Sequence, residues 1–347
     1  MKIAVIPGDG IGKEVIKEGL KVLKLFGIKY KIFNYDADYW LKHKKGITNK
    51  EIKKLKKNYD AIYFGALGDE RIPDMQHGKD ILLKLRFGLD LYANIRPIQN
   101  IKSELSPLKN KKDIDIIILR ENTEDLYKGI GNRFKTTTND EIVLDQRIHT
   151  KKGVKRIIKY AFEYALLNKR KKLMLVDKHN AIPNGGKLWL ETFEKYSKKY
   201  PEIITSYEHV DIAAAKMVLE PENMDVIVTS NLFGDILSDL GAGIVGGMGL
   251  LGSSNINLKN LGLFEPIHGS APDIVGKNIA NPIAALTTLA MMLAHLKLFE
   301  YEKVLNKAIK KSIKNNITTP DLQGTYSTSE VGDYITKLVK KYMKKGE

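Results

Sequence analysis

Residues 2–23 read KIAVIPGDGIGKEVIKEGLKVL. The apolar run KIAVIP breaks at a glycine-rich turn, GDGIG at 8–12, and a helical pattern follows to about residue 25. This is the signature of a strand, a turn and a helix. The theme recurs along the chain. AIYF at 61–64 stops at Gly65, and the runs IDIIIL (114–119), LMLVD (173–177) and DVIVT (225–229) are each followed by polar residues and then a helical pattern. Strands alternating with helices predict an α/β protein with a largely parallel sheet. In such sheets ligands bind where strands end at their carboxyl edge, so the informative residues should follow the strands.

The chain has 347 residues, 43% of them hydrophobic and 28% charged, which suits about two domains with a sizeable core and excludes a wholly disordered chain. The absence of cysteine excludes disulfides, thiolate metal sites and cysteine nucleophiles. The longest apolar stretch, around Ile283 to Leu296, is interrupted by Thr287, Thr288 and His295 and falls short of the roughly 20 residues of a membrane span. The N-terminal MKIAVIPGDG has too short an apolar run for a signal peptide. The expectation is a soluble, cytoplasmic protein with no membrane partner. A net charge of +16 attracts anions, but the basic runs, such as 169–172 and 340–345, are scattered rather than gathered. They read as solvated surface, and no nucleic-acid partner is expected; a basic nucleic-acid-binding protein is the distant alternative.

Several constellations carry chemistry. GDGIGKE at 8–14 is neither GxGxxG nor a Walker loop, and alone it reads as a plain turn or as a helix-start cradle for an anion. Arg86, Arg96 and Arg120 are three guanidinium forks, the last ending a buried strand, where an arginine is expensive without an anionic partner. They suit either a dicarboxylate or separate structural ion pairs. Asp235 and Asp239 are spaced i, i+4 in NLFGDILSDLG, one turn apart on one helix face, and like charges there invite a hard cation such as Mg²⁺ or Mn²⁺. Asp211, in HVDIAAA, is a further carboxylate inside an apolar run. Lys178 follows the strand LMLVD, Tyr127 stands seven residues after Arg120, and HGSAPD at 268–273 is a loop suited to wrapping an adenosine. Residues 128–150 lack helical period and suit a β-arm.

In order, GDGIG, RFGLDLYANIRP (86–97), RENTEDLYKG (120–129), DKHN (177–180), VD (210–211), NLFGDILSD (231–239) and FEPIHGSAPDIVGKNIANP (264–282) closely resemble the β-decarboxylating dehydrogenases, the isocitrate/isopropylmalate dehydrogenase family, over residues 3 to about 330. The resemblance implies two open α/β domains, discontinuous in sequence and not of the Rossmann type. Residues 1–95 with 248–347 would bind the cofactor, and 96–247 would carry substrate, metal and dimerisation, with an arm near 128–150. It implies Arg86, Arg96 and Arg120 as substrate arginines, Tyr127 as proton donor, Lys178 as general base, and Asp211, Asp235 and Asp239 as metal ligands for Mg²⁺ or Mn²⁺. Asn180, His268, Gly269, Ser270, Ala271, Asp273, Ile274 and Asn281 would contact the cofactor. Lys178 and Asp211 would enter a neighbouring subunit's site, making a homodimer or larger homo-oligomer with shared active sites. The implied reaction removes the hydroxyl proton and a C2 hydride, releases the β-carboxylate as CO₂, and protonates the enol carbon.

The helix before Arg86 distinguishes members of the family. Asp80 and Leu82 stand where isocitrate enzymes place Ser and Asn, and Ile81, Leu82 and Leu83 form an expected apolar face. Leu82 and Leu83 are the expected wall for an isopropyl group. This resembles the isopropylmalate members, and implies oxidation of (2R,3S)-3-isopropylmalate to 4-methyl-2-oxopentanoate and CO₂ in leucine biosynthesis. Lys79 and His179 depart from that pattern and keep tartrate- or malate-type substrates open, alongside homoisocitrate and isocitrate. Asp273–Ile274 matches the NAD-dependent members, since a carboxylate there repels a 2′-phosphate.

Overall fold

The computed structural model describes residues 1–109, 113–258 and 261–345. Twelve strands occur among them: β1 (Lys2–Gly8), β2 (Lys29–Ile32), β3 (Ala61–Ala66), β4 (Ala93–Gln99), β5 (Asp115–Glu121), β6 (Gly131–Phe134), β7 (Ile142–Asp145), β8 (Lys172–Asp177), β9 (Ile204–His209), β10 (Val226–Thr229), β11 (Gly252–Ile256) and β12 (Gly262–Pro266). The chain divides into two compact units. One comprises Met1–Leu91, Arg96–Asp113 and Ala242–Glu347, the other Tyr92–Ile95 and Ile114–Gly241. Arg96–Asp113 thus packs with the first unit, whereas the sequence places it in the middle segment. Ser106 helps hold it there, its hydroxyl donating to the Ile244 carbonyl at 2.7 Å. Residues 110–112, 259–260 and 346–347 of the expected domain ranges lie outside the described residues.

In the first unit the strand order is β2-β1-β3-β12-β11, parallel except for the β11–β12 pair. β1, β3 and β12 run the same way, so the loops after them, GDGIG, the 67–75 segment and HGSAPD, leave from one edge. One core cluster includes Ile6, Ile52, Leu55, Ile62, Phe64, Ile81, Leu85 and Leu263. The helix Asn49–Asn58 is set on it by a capping box. Thr48 accepts from the Glu51 amide, and Glu51 accepts from the Thr48 amide.

The second unit orders β5-β10-β8-β9, all parallel. The strands β5, β8 and β10 are nearly continuous apolar runs, as expected for strands covered on both faces. Among the described residues, β6 and β7 pair with each other alone, as an antiparallel ribbon within residues 128–150. No helix among the described residues is long and apolar enough to cross a membrane.

Candidate active site

Because the four strands of the second unit are parallel, their carboxyl ends share one edge. Arg120 lies at the end of β5, Lys178 just after β8, Asp211 just after β9, and Asp235 and Asp239 on the helix Asn231–Val245 that follows β10. Arg120 is 1% exposed, and its burial is balanced by charge: Nη1 donates to Asp235 Oδ1, and Nε donates to Asn231 Oδ1 at 2.8 Å. Tyr127 closes the group. Its hydroxyl donates to Asp235 Oδ2 at 2.6 Å, and the Arg120 guanidinium lies 5.1 Å from its ring centroid. Gly234 makes room, since a Cβ there would stand 2.6 Å from Arg120 Cγ. Asn231 was missed in the sequence; its position at the head of NLFGD was the available signal.

Lys178 Nζ pairs with Asp211 Oδ1 at 2.5 Å, and this hydrogen bond holds the Asp211 carboxyl below its ordinary range. Asp211 and Asp239 are both exposed. The structure therefore brings together Arg120, Tyr127 and Asp235, and separately Lys178 and Asp211. Among the described residues of one chain, no group of three or more His, Asp or Glu side chains is gathered to hold a metal ion. Asn180, beside Lys178, is exposed.

The base of the ribbon is tied to the same edge. Arg147 binds Asp125 at 2.5 and 2.9 Å and donates to Ser230 Oγ at 2.7 Å. Burial pushes the Asp125 carboxyl up, but hydrogen bonds from Arg147 and the Leu232 amide outweigh it and leave the group below its ordinary value.

In the first unit, Asp9 of GDGIG ties neighbouring loops together. Its carboxylate accepts from the Ala37 amide at 2.7 Å and the Gly68 amide at 3.1 Å, and touches the buried His77 Nε2 at 3.2 Å. The Ile11 amide donates to the Ser270 carbonyl at 2.9 Å. Gly10 permits that approach, because its φ is +51° and a Cβ would meet the Ser270 carbonyl oxygen at 2.1 Å. So GDGIG supports the HGSAPD loop. Ser270 is buried, Gly269 and Asp273 are exposed, Ala271 and Ile274 are half-buried, and Ala271 is left-handed with φ +42°. A cavity of about 390 Å³ opens beside the loop, lined by Gly68, Asp69, Ser270 and Pro272 among others. His268 Nε2 is buried without a partner, and burial pushes its imidazole pKa down. Asn281 donates to Asp321 at 2.9 Å.

Arg86 and Arg96 are both buried, each 6% exposed. Arg86 pairs with Glu265, and its Nε is buried with no protein hydrogen-bond partner. The helix delivering Arg86 is wound as a π-helix over Lys79–Leu83. The expected face Ile81–Leu82–Leu83 does not hold together. Ile81 is wholly buried in the core, Leu82 packs against the same core while partly exposed, and Leu83 is partly exposed. Three successive helical residues fan out over roughly half a turn, so they cannot share one face.

The family model for isocitrate/isopropylmalate dehydrogenase matches residues 2–335. The chain belongs to this family. A 3-isopropylmalate dehydrogenase of Streptomyces griseus is 41% identical over 344 residues, covering 97% of this chain and 98% of the relative. A decarboxylating D-malate dehydrogenase of Escherichia coli is 40% identical over 356 residues, covering 98% of each. Among solved structures, the isocitrate dehydrogenase from Methylococcus capsulatus superposes with a TM-score of 0.87 at 34% identity, covering 98% of this chain and 99% of that one. As a member of the isocitrate/isopropylmalate dehydrogenase family, the protein is an oxidoreductase with that family's α/β fold.

Proposed function

We propose that this dehydrogenase catalyses the NAD-dependent oxidative decarboxylation of (2R,3S)-3-isopropylmalate to 4-methyl-2-oxopentanoate and CO₂, a step of leucine biosynthesis. The observation that carries the reading is the pair Leu82 and Leu83, partly exposed one turn before Arg86. Burying an isopropyl group against such a wall gains about 1.5–3 kcal/mol, and a carboxylate set there would lose hydration without return. A malate-type substrate is the second reading, favoured by the similar identity to the D-malate enzyme.

Arg86, Arg96 and Arg120 bind the substrate carboxylates. The partnerless Nε of Arg86 suits an incoming acceptor. Lys178 accepts the proton of the C2 hydroxyl, which requires it to give up its Asp211 partner. Tyr127, its hydroxyl aligned by Asp235, returns a proton to the carbon that has lost CO₂. When bound, a Mg²⁺ or Mn²⁺ ion held by Asp211, Asp235 and Asp239 supplies positive charge to the developing oxyanion, and NAD at the 268–274 loop supplies the hydride acceptor. The donor set fits a hard cation, being carboxylate oxygen throughout. The orphaned His268 Nε2 and the adjoining cavity fit a polar cofactor, and the exposed Asp273 disfavours a 2′-phosphate.

Because Asp211 is not gathered with Asp235 and Asp239 among the described residues of one chain, the proposed metal site takes that aspartate from a second copy. Exposed apolar side chains support such a homodimer: Phe134, Val143 and Leu144 on the ribbon, Ile212 and Leu219 on the helix Val210–Leu219, and Ile236. The test of the reaction is stoichiometric. Incubation with 3-isopropylmalate, NAD and Mg²⁺ is expected to release CO₂ and NADH one for one, with NAD preferred to NADP at least about tenfold in kcat/KM. NADH without CO₂ would remove decarboxylation from the account.

A further inference from the structure

Arg86 is held by an arrangement that the reaction as derived leaves unexplained. Its Nη2 donates to Glu265 Oε1 at 2.6 Å, and Asn255 Nδ2 donates to the same oxygen at 2.8 Å. All three side chains are buried, Asn255 completely. Asn255 Nδ2 also donates to the Leu263 carbonyl at 3.2 Å, across the antiparallel β11–β12 pair in which Asn255 faces Leu263. The carboxylate is therefore fixed by strand register rather than by a loop. A guanidinium is a rigid planar fork, so holding one of its nitrogens decides where the others point. Its Nε, beside the held nitrogen, is buried and has no partner.

We infer that Glu265, fixed by Asn255, is a positioning residue that aims the Nε edge of Arg86 at a substrate carboxylate. The inference rests on the reading of Arg86 as a substrate arginine. It assigns to Glu265 a directional role, in which the accepting oxygen matters more than the negative charge. A counter-ion role makes the opposite demand: the charge would matter, and any neutral side chain would fail alike. Glutamine separates the two, because it keeps an oxygen able to accept from both Arg86 and Asn255 while removing the charge.

The experiment is steady-state kinetics on Glu265→Ala, Glu265→Gln and Asn255→Ala, with a melting curve for each. Glu265→Ala is expected to raise KM for 3-isopropylmalate about tenfold or more while KM for NAD moves less than about threefold. Glu265→Gln is expected to recover most of that loss, and Asn255→Ala to give a smaller rise of the same kind. If glutamine damages KM as much as alanine, or alanine leaves KM unmoved, the inference is overturned. Should Glu265→Ala fail to fold, Asn255→Ala decides: a rise in substrate KM alone supports the inference, and no rise overturns it. A wild-type enzyme that turns over no 3-substituted malate sinks the underlying reading instead, and the variants are not needed to see it.

Discussion

Asp235 serves three groups within one carboxylate. It balances the buried Arg120, it accepts from the Tyr127 hydroxyl, and it is a proposed metal ligand. Asp235→Asn keeps one of the two accepting oxygens and removes the charge that both Arg120 and the metal need. The expected outcome is Mn²⁺ affinity weakened at least about tenfold, with activity falling in parallel and a lowered Tm, because the buried Arg120 loses its counter-charge. A Mn²⁺ titration of activity checks it, and a wild-type rate untouched by EDTA would contradict the metal assignment. Arg147 offers a test by pH. Its bond keeps the native Asp125 carboxyl below the ordinary 3.8, so the native state binds fewer protons than the unfolded chain near that pH. That stability is present above about pH 4 and is lost as pH falls through the lowered native value. Arg147→Ala leaves a buried carboxylate without its partner, at a cost of about 3–5 kcal/mol at neutral pH. The Tm gap between wild type and variant should narrow as pH drops from 6 towards 2; a gap independent of pH would mean that Arg147 acts through packing alone.

At the scale of elements, the sheet was legible because parallel strands covered on both faces are written as plain apolar runs. IDIIIL, LMLVD and DVIVT each became a strand, and the functional candidates follow them. The helix before Arg86 was less legible. Its sequence shows three apolar residues in a row, but not which of them the core takes, and the π-wound turn over Lys79–Leu83 leaves no composition signal. Nor does a sequence show that Asp80 is occupied, its carboxylate accepting from Trp40 Nε1 at 2.8 Å and Gln76 Nε2 at 3.0 Å. Glu265 lay within a quoted motif, yet its tie to Arg86 spans 179 residues of chain and is visible only in the fold. The division of labour on the helix is testable. Leu82→Ala should lower kcat/KM for 3-isopropylmalate at least about fivefold more than for malate. Ile81→Ala should instead lower stability by about 2–5 kcal/mol through a core cavity, leaving the substrate ratio in place. Comparable selectivity changes in both variants would mean that the wall was misassigned.

At the scale of the whole molecule, the proposed site is incomplete in a single chain. Lys178 and Asp211 lie together, Tyr127 and Asp235 lie together, and the proposal has each pair work with the other pair of a second copy. Mixing Lys178→Ala chains with Tyr127→Phe chains should therefore form heterodimers in which one site regains both groups, recovering up to about a quarter of wild-type activity after random exchange. Demonstrated subunit exchange with no recovery would rule out a shared site.

The claim that most needs testing is the choice of substrate, and one assay addresses it. NAD reduction is followed at fixed Mg²⁺ with 3-isopropylmalate, D-malate, tartrate, isocitrate and homoisocitrate side by side. The account predicts the highest kcat/KM for 3-isopropylmalate, malate below it, and isocitrate far below both, because only the first uses the Leu82–Leu83 wall. A best rate with isocitrate or homoisocitrate would contradict it and would point to the exposed Lys79 as the group that reads the third carboxylate.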